Sequence, residues 1–197
     1  MDKNFTFDDF IFKGDELKGM TRAGKDKVKA QGIKEIIIPT ESPDGVPVRV
    51  IGEQCFYRRK FESIVIPETV EVIKYDAFGV NALTEVIIPD SVKEIYGFAF
   101  YRNKITDIKL PKNLVYIGPS AFALNQIGEI NLPDTVEVIE TSAFYKNNLT
   151  SIKIPKNIKK IDMFAFNKNG IMEVEVPNSI ETLHENAFDF TTNVKRI

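Results

Sequence analysis

Apolar positions along this chain repeat every 22 residues. Ile51, Ile73, Ile95, Ile117, Ile139, Ile161 and Leu183 fall in one column without a gap, and five residues after each comes a phenylalanine, from Phe56 through Phe188. The residue before that phenylalanine is Cys55 and then alanine, from Ala77 to Ala187. Further columns run from Phe61 to Ile171, Ile64 to Val174, Ile66 to Val176 and Val70 to Ile180. A fixed period of this length makes each repeat one coil of a stacked array, whose coils share a core that none could close alone.

Each coil carries a stretch such as Glu85-Val86-Ile87-Ile88, in which side chains point alternately out and in, the period of a half-buried strand. The proline that follows (Pro67, Pro89, Pro111, Pro133, Pro155, Pro177) cannot donate a ladder hydrogen bond and ends the strand at the same point each time. The Ala-Phe dipeptide is too short for a full helix and predicts one helical turn, with alanine where coils approach closely and phenylalanine inside. A column of Asn81, Asn103, Asn125, Asn147 and Asn169, with Arg59 in its place in the first coil, reads as a structural turn residue.

The unit Leu83-x-x-Val86-x-Ile88-Pro89-x-x-Val92-x-x-Ile95-x-x-x-Ala99-Phe100 resembles the BspA-like class of leucine-rich repeat, and it recurs from residue 51 to residue 190. Ile33-x-x-Ile36-x-Ile38-Pro39 fits the same strand motif, and Asp44-Gly45-x-Pro47-Val48-x-x-Ile51-Gly52 resembles the loop that leads into the first full coil of such domains. The 22-residue period is slightly short for the class. The resemblance implies a β-rich leucine-rich-repeat solenoid, a curved right-handed array with its main strands on the concave face. It also implies a bacterial or protozoan surface protein that binds host or matrix proteins, often as the exposed part of a longer chain. The expected division is a cap over residues 1–32, a first strand motif and loop over 33–50, and six full repeats plus a partial seventh over 51–197. Paired alternations at Phe5, Phe7 and Phe10, Phe12 predict a small β-rich cap, with a turn at Asp15-Glu16-Leu17-Lys18-Gly19. Val194-x-x-Ile197 begins another strand motif one residue out of register and has no polar capping segment. A natural chain that continues, or an end that pairs with another molecule, is the expectation there.

A formal net charge of −2 offers no source for the phosphate attraction that drives nucleic-acid binding, so nucleic acid is not an expected partner. One cysteine and one histidine, Cys55 and His184, preclude an internal disulfide framework and a Cys/His zinc cluster. No cofactor, metal site or catalytic residue is expected: His184 lies in a variable column of the last coil, and Cys55 substitutes for alanine in a packed column as an inert small residue. No apolar run approaches the roughly 18 residues that span a bilayer, so membrane insertion by this chain is not expected.

What varies is the outward surface, where stacking turns each column into a ladder with rungs ~4.8 Å apart. One column, Glu35, Ser63, Glu85, Asp107, Glu129, Ser151 and Glu173, is mostly acidic and reads as a solvated face suited to a basic partner, with a shared calcium ion as the weaker alternative. A second, Ile37, Val65, Ile87, Lys109, Asn131, Lys153 and Glu175, begins with three apolar rungs, which either form an exposed interaction patch or lie beneath a folded-back cap. A third feature, Tyr57-Arg58, Tyr101-Arg102 and Tyr145-Lys146, recurs every 44 residues and reads as stacking between coils or as a set of aromatic and basic anchors that could engage a glycan. Together these predict a protein-recognition or adhesion module of a cell-surface or secreted protein, binding through the concave strand face. The alternatives are a carbohydrate-binding module using the tyrosines and a structural spacer or assembly subunit.

Overall fold

The computed structural model describes residues 5–197. A cap comes first: a 3-10 turn (Phe7–Asp9), the hairpin of β1 (Phe10–Lys13) and β2 (Glu16–Met20), and the helix α1 (Arg22–Gln31). Of the turn expected at Asp15 to Gly19, only Asp15 turns, beside left-handed Gly14; Glu16 to Gly19 lie in strand β2. The cap is also less purely β than its alternating phenylalanines suggested. Thr21 caps α1 by accepting the Gly24 N–H (3.1 Å), and left-handed Gly32 ends it.

The coils follow. A longer strand recurs as β3 (Glu35–Ile37), β5 (Ser63–Val65), β7 (Glu85–Ile87), β9 (Asp107–Lys109), β13 (Glu173–Val176) and β15 (Asn193–Arg196). A second, two-residue strand accompanies it in the Ile51 column: β4 (Val50–Ile51), β6 (Val72–Ile73), β8 (Glu94–Ile95), β10 (Tyr116–Ile117), β11 (Val138–Ile139), β12 (Lys160–Ile161) and β14 (Thr182–Leu183). The short strands make the continuous sheet, nine strands including the cap hairpin, in the order β1-β2-β4-β6-β8-β10-β11-β12-β14. Only β1 and β2 pair antiparallel; from β2 onward the sheet is parallel. The cap thus completes the first coil by giving β4 a partner. The longer strands pair only as β3 with β5, β7 with β9 and β13 with β15. At the far end Val194 stands opposite Val174, the second apolar position of the motif rather than its first.

The Ala-Phe segment is a turn tighter than a helical one. In the first coil the Cys55 N–H reaches Gly52 O (3.3 Å) and the Tyr57 N–H reaches Gln54 O (3.2 Å), with Gln54 and Arg58 left-handed. Its other amides bond across the stack, as Phe56 N–H to Ala77 O and Phe78 N–H to Ala99 O (both 2.8 Å). Phenylalanine therefore points inward at a fixed height in every coil, and Phe56, Phe78, Phe100, Phe122, Phe144, Phe166 and Phe188 stack with ring centroids 5.2 to 5.5 Å apart. Cys55 is buried among them, and burial pushes its thiol pKa well up, which keeps it protonated and unreactive.

The asparagine column joins each coil to its predecessor. Asn125 donates through Nδ2 to Phe100 O (2.9 Å) and Phe122 O (3.0 Å), and its Oδ1 accepts the Ile105 N–H (3.2 Å). Asn103 and Asn147 repeat the arrangement one coil either side. Each phenylalanine carbonyl is thus shared by two asparagines, Phe100 O by Asn103 and Asn125, whereas the Ile105 amide has Asn125 as its one partner.

Register is reinforced by a charged column that alternates in sign. Glu71 bridges Arg49 and Lys93, and Glu137 pairs with Lys159 (2.7 Å), each partner one coil away. In the next column Lys160 joins Glu140 and Asp162 (both 2.9 Å). Burial would raise the Asp162 pKa, but hydrogen bonds from Lys160, the Met163 amide and Thr141 outweigh it and hold it at about 2. A depressed carboxylate contributes stability that is complete above its unfolded pKa, near pH 4, and is lost as the pH falls through the folded value. Asp162→Asn is expected to cost about 1 to 2 kcal/mol at pH 7, with the difference from the parent closing between about pH 4 and pH 2 in urea titrations.

Candidate functional site

In the two coils after β9, residues 129–131 and 151–153 form no strand, and the first of these coils carries a change at the residue ahead of its strand position. Where neighbouring coils carry Thr84, Thr106 and Thr150, the next holds Gly128, which weakens a strand and leaves its place open: a Cβ there would touch nothing within 4 Å. The Thr106 N–H still reaches Thr84 O (2.9 Å), and residues 129–131 form no strand. The longer strands are interrupted here, and Ile108, expected in the core, packs against it but is only partly buried.

The result is an open groove of about 520 Å³ bordered by β7, β9 and the segment after Gly128. Of the residues singled out in the sequence, it gathers Glu85, Ile87, Asp107, Lys109, Glu129 and Asn131. Among the described residues Glu85, Asp107, Lys109 and Glu129 make no ion pair, so three carboxylates and one ammonium face solvent uncompensated. Asp107 accepts a hydrogen bond from the adjacent Thr106 hydroxyl (2.7 Å), which fixes one carboxylate oxygen and leaves the other free.

Toward the cap the same column turns apolar. Val65 is 47% and Ile87 56% exposed, and Ile37 is half-buried, so the cap does not fold over them. Ile87 belongs both to this patch and to the groove. Lys153 lies outside the groove, between two smaller hollows of about 280 and 360 Å³.

Tyr57, Tyr101 and Tyr145 are half-buried on the turn edge, away from the groove, with Gly79 and Ala123 filling the alternate coils of their column. Arg58 lies over the Tyr57 ring, 5.1 Å from its centroid. Column-by-column reading missed what surrounds Tyr101: Phe98 packs against it at 5.1 Å and Tyr75 against Phe98 at 5.2 Å, while Tyr96 meets Tyr116 at 5.6 Å. These residues sit in different columns, and Tyr75 meets Phe98 and Tyr96 meets Tyr116 diagonally across coils, so no single column contains them. His184 is half-buried, and its Nδ1 accepts the Asn186 N–H (3.1 Å). Among the described residues no group of three or more His, Cys, Asp or Glu side chains is placed to hold a metal ion, and no helix is long and apolar enough to cross a membrane.

A family model described as the BspA type leucine rich repeat region matches the chain in six copies, over residues 49–169 and 121–197. No curated protein sequence matches. Among solved structures, the chain is similar to a leucine-rich repeat protein from Bacteroides ovatus, at 21% identity and a TM-score of 0.59, covering 85% of this chain and 52% of the other. It thus spans about half the length of that protein. A leucine-rich repeat protein from T. pallidum aligns at 19% identity and a TM-score of 0.55, covering 86% of this chain and 69% of that one. A protein from Faecalibacterium prausnitzii, described as a leucine rich cell surface protein, aligns at 19% identity and 0.54, covering 95% and 74%. At these identities the likeness is one of fold.

Proposed function

The chain belongs to the BspA-type leucine-rich-repeat family, and on that premise we propose that it is a protein-recognition module of a bacterial cell-surface or secreted protein that binds through its longer-strand face. The observation that carries this reading is the continuity of two exposed apolar rungs, Val65 and Ile87, with a groove whose charges form no ion pair among the described residues. An apolar anchor rimmed by unpaired charge is the arrangement in which a partner gains from desolvation at the centre and from complementary charge at the edge. Three carboxylates against one lysine favour a basic partner surface. The scaffold is rigid, so little conformational entropy is lost on binding.

The test is binding to a panel of purified matrix and host-surface proteins by biolayer interferometry. At least one is expected to bind saturably, and the triple variant Ile87→Ala, Glu85→Lys, Asp107→Lys to bind it at least tenfold more weakly with an unchanged melting temperature. Gly128→Thr, which restores the residue of the neighbouring coils, should narrow the groove and weaken binding without loss of stability. Equal affinity for parent and both variants would remove this face from the reading.

A second reading, a carbohydrate-binding module, is favoured by the aromatic cluster, in which Tyr75 and Tyr96 are each 41% exposed. Flat aromatic rings at the surface suit the apolar faces of sugars. A glycan array answered by the parent and lost on Tyr75→Ala with Tyr101→Ala would support it.

A further inference from the structure

The first coil breaks the repeat twice, and both breaks fall at one place. In later coils the ladder asparagine accepts a backbone N–H from the coil before, as Asn103 does from Leu83 (3.2 Å) and Asn81 from Phe61 (3.1 Å). The counterpart ahead of the first coil is Ile33, whose N–H is already bonded to Val28 O (3.1 Å) at the end of α1. Position 59 therefore has no donor to serve, which releases it from asparagine. It does not explain arginine. The Nε of Arg59 is buried without a hydrogen-bond partner, an arrangement folded proteins rarely leave uncompensated.

The next residue is the second break. Lys60 is left-handed, at φ 63°, whereas its equivalents Ala82, Lys104, Gln126 and Asn148 are not. A non-glycine residue held in this region is strained, and such strain gathers where the chain positions a side chain for use.

Arg59 and Lys60 border a pocket of about 410 Å³ between α1 and the first coil, which Lys25, Lys29, Lys34 and Arg58 also line, against the single carboxylate of Asp26. Lys34 is paired with Glu62 (3.0 Å), and Asp26 with Arg22 (3.9 Å). Among the described residues Lys25, Lys29, Arg59 and Lys60 have no carboxylate partner. Val28 and Ile33 form an apolar part of the wall, which strengthens electrostatic interactions within it. With Arg58, which also has no carboxylate partner among the described residues, five unpaired cations line one pocket in a chain whose net charge is −2, and they repel one another until an anion joins them.

We propose that this junction of cap and first coil binds a small polyanion carrying two or more phosphate or sulfate groups, at a site separate from the strand groove. The pocket has room for about a dozen waters at about 30 Å³ each, more than one oxyanion requires. Arg59 supplies the fixed donor at its base, and the three lysines adapt around the ligand as point charges.

Isothermal titration calorimetry at low salt tests this with inorganic tripolyphosphate, a trisulfated heparin disaccharide and acetate. At least one polyanion is expected to bind saturably at one site and to raise the melting temperature, with acetate inert; the tighter of the two identifies phosphate or sulfated sugar as the source. Arg59→Asn restores the residue of the repeat, removes a buried N–H without a partner and should melt no lower than the parent, yet bind at least tenfold more weakly. Lys25→Gln with Lys29→Gln, on the exposed side of α1, should weaken binding similarly, and Lys112→Gln on a distant coil should not. Absence of saturable binding by either polyanion, or equal binding by parent, Arg59→Asn and the double lysine variant, overturns the proposal.

Discussion

Asn125→Ala is expected to destabilise the protein by about 2 to 5 kcal/mol, as much as truncation of a buried leucine. The substitution removes little apolar contact. What it removes is three hydrogen bonds: the one partner of the Ile105 amide, and one of two donors to each of the carbonyls of Phe100 and Phe122. The Asn125 side chain is buried, so water does not readily replace it, and the orphaned amide costs about 1 to 3 kcal/mol. Each carbonyl keeps one asparagine donor, Asn103 for Phe100 and Asn147 for Phe122, and the lost second bond costs about 0.5 to 1 kcal/mol apiece. Aspartate is a sharper probe than alanine. Asn125→Asp keeps the Oδ1 acceptor for Ile105 but sets a second oxygen against two carbonyls, and it should be at least as damaging at pH 7 and partly relieved near pH 4, when a protonated carboxyl can donate. Circular dichroism in guanidinium measures both. In a stacked array the damage should appear as a break between the coils on either side of residue 125 and a broader, less cooperative transition. Asn125→Ala with a loss below about 1 kcal/mol would show that the asparagine bonds are replaced by water at little cost.

Gly24→Ala is expected to destabilise the cap by about 2 to 4 kcal/mol, although alanine is the better helix former by about 1 kcal/mol. The glycine sits in the first turn of α1, where the helix crosses the 3-10 turn ahead of β1. A methyl group there would fall inside van der Waals contact of the Asp9 carbonyl oxygen, and 3.1 Å from both the Asp9 carbonyl carbon and its Cβ. Asp9 cannot retreat without loss. Its carbonyl accepts the Thr21 N–H (2.9 Å), and its carboxylate accepts the Thr6 N–H (2.9 Å) and pairs with Lys27 (2.7 Å). The clash therefore moves the helix, which strains those bonds and uncovers Leu17 and Met20 beneath. The steric cost outweighs the propensity gain. Hydrogen exchange should show the effect confined at first to the amides of β2 and β4, with the central coils still protected. An unchanged or higher melting temperature would mean that α1 shifts freely over the cap.

Both expectations concern places where residues far apart in sequence meet, and that is where sequence and structure differ in what they make visible. The period was legible because one environment recurs: every coil must place an apolar residue at the height of Ile95 and a phenylalanine at the height of Phe100, and so the columns stay aligned without gaps. The asparagine column was legible as structural, but its bonds to the preceding coil were not, because Asn125 and Ile105 are 20 residues apart. The helix α1 carried ordinary signals, Thr21 at its start and Gly32 at its end. Its weak apolar pattern hid it, since among its residues only Gly24 and Val28 are buried.

The candidate site divides the same way. The outward columns of Glu85 and Ile87 were identified from alternation alone, which fixes the face on which a strand side chain stands. Whether the apolar rungs were covered depended on where the cap sat, and the structure leaves Val65 and Ile87 exposed. The groove opens beside Gly128, a departure from the threonines of its column that has no periodic signature because it happens in one coil.

The sequence by itself determined the repeat, the inward and outward faces and the parallel stacking of coils, because all three follow from the spacing of apolar residues along one chain. Only the tertiary structure decided where the longer strands are interrupted, which charges remain unpaired and how the cap meets the first coil. Those depend on contacts between residues a coil or more apart, at the positions where the repeat departs from itself, and a period cannot encode its own exceptions.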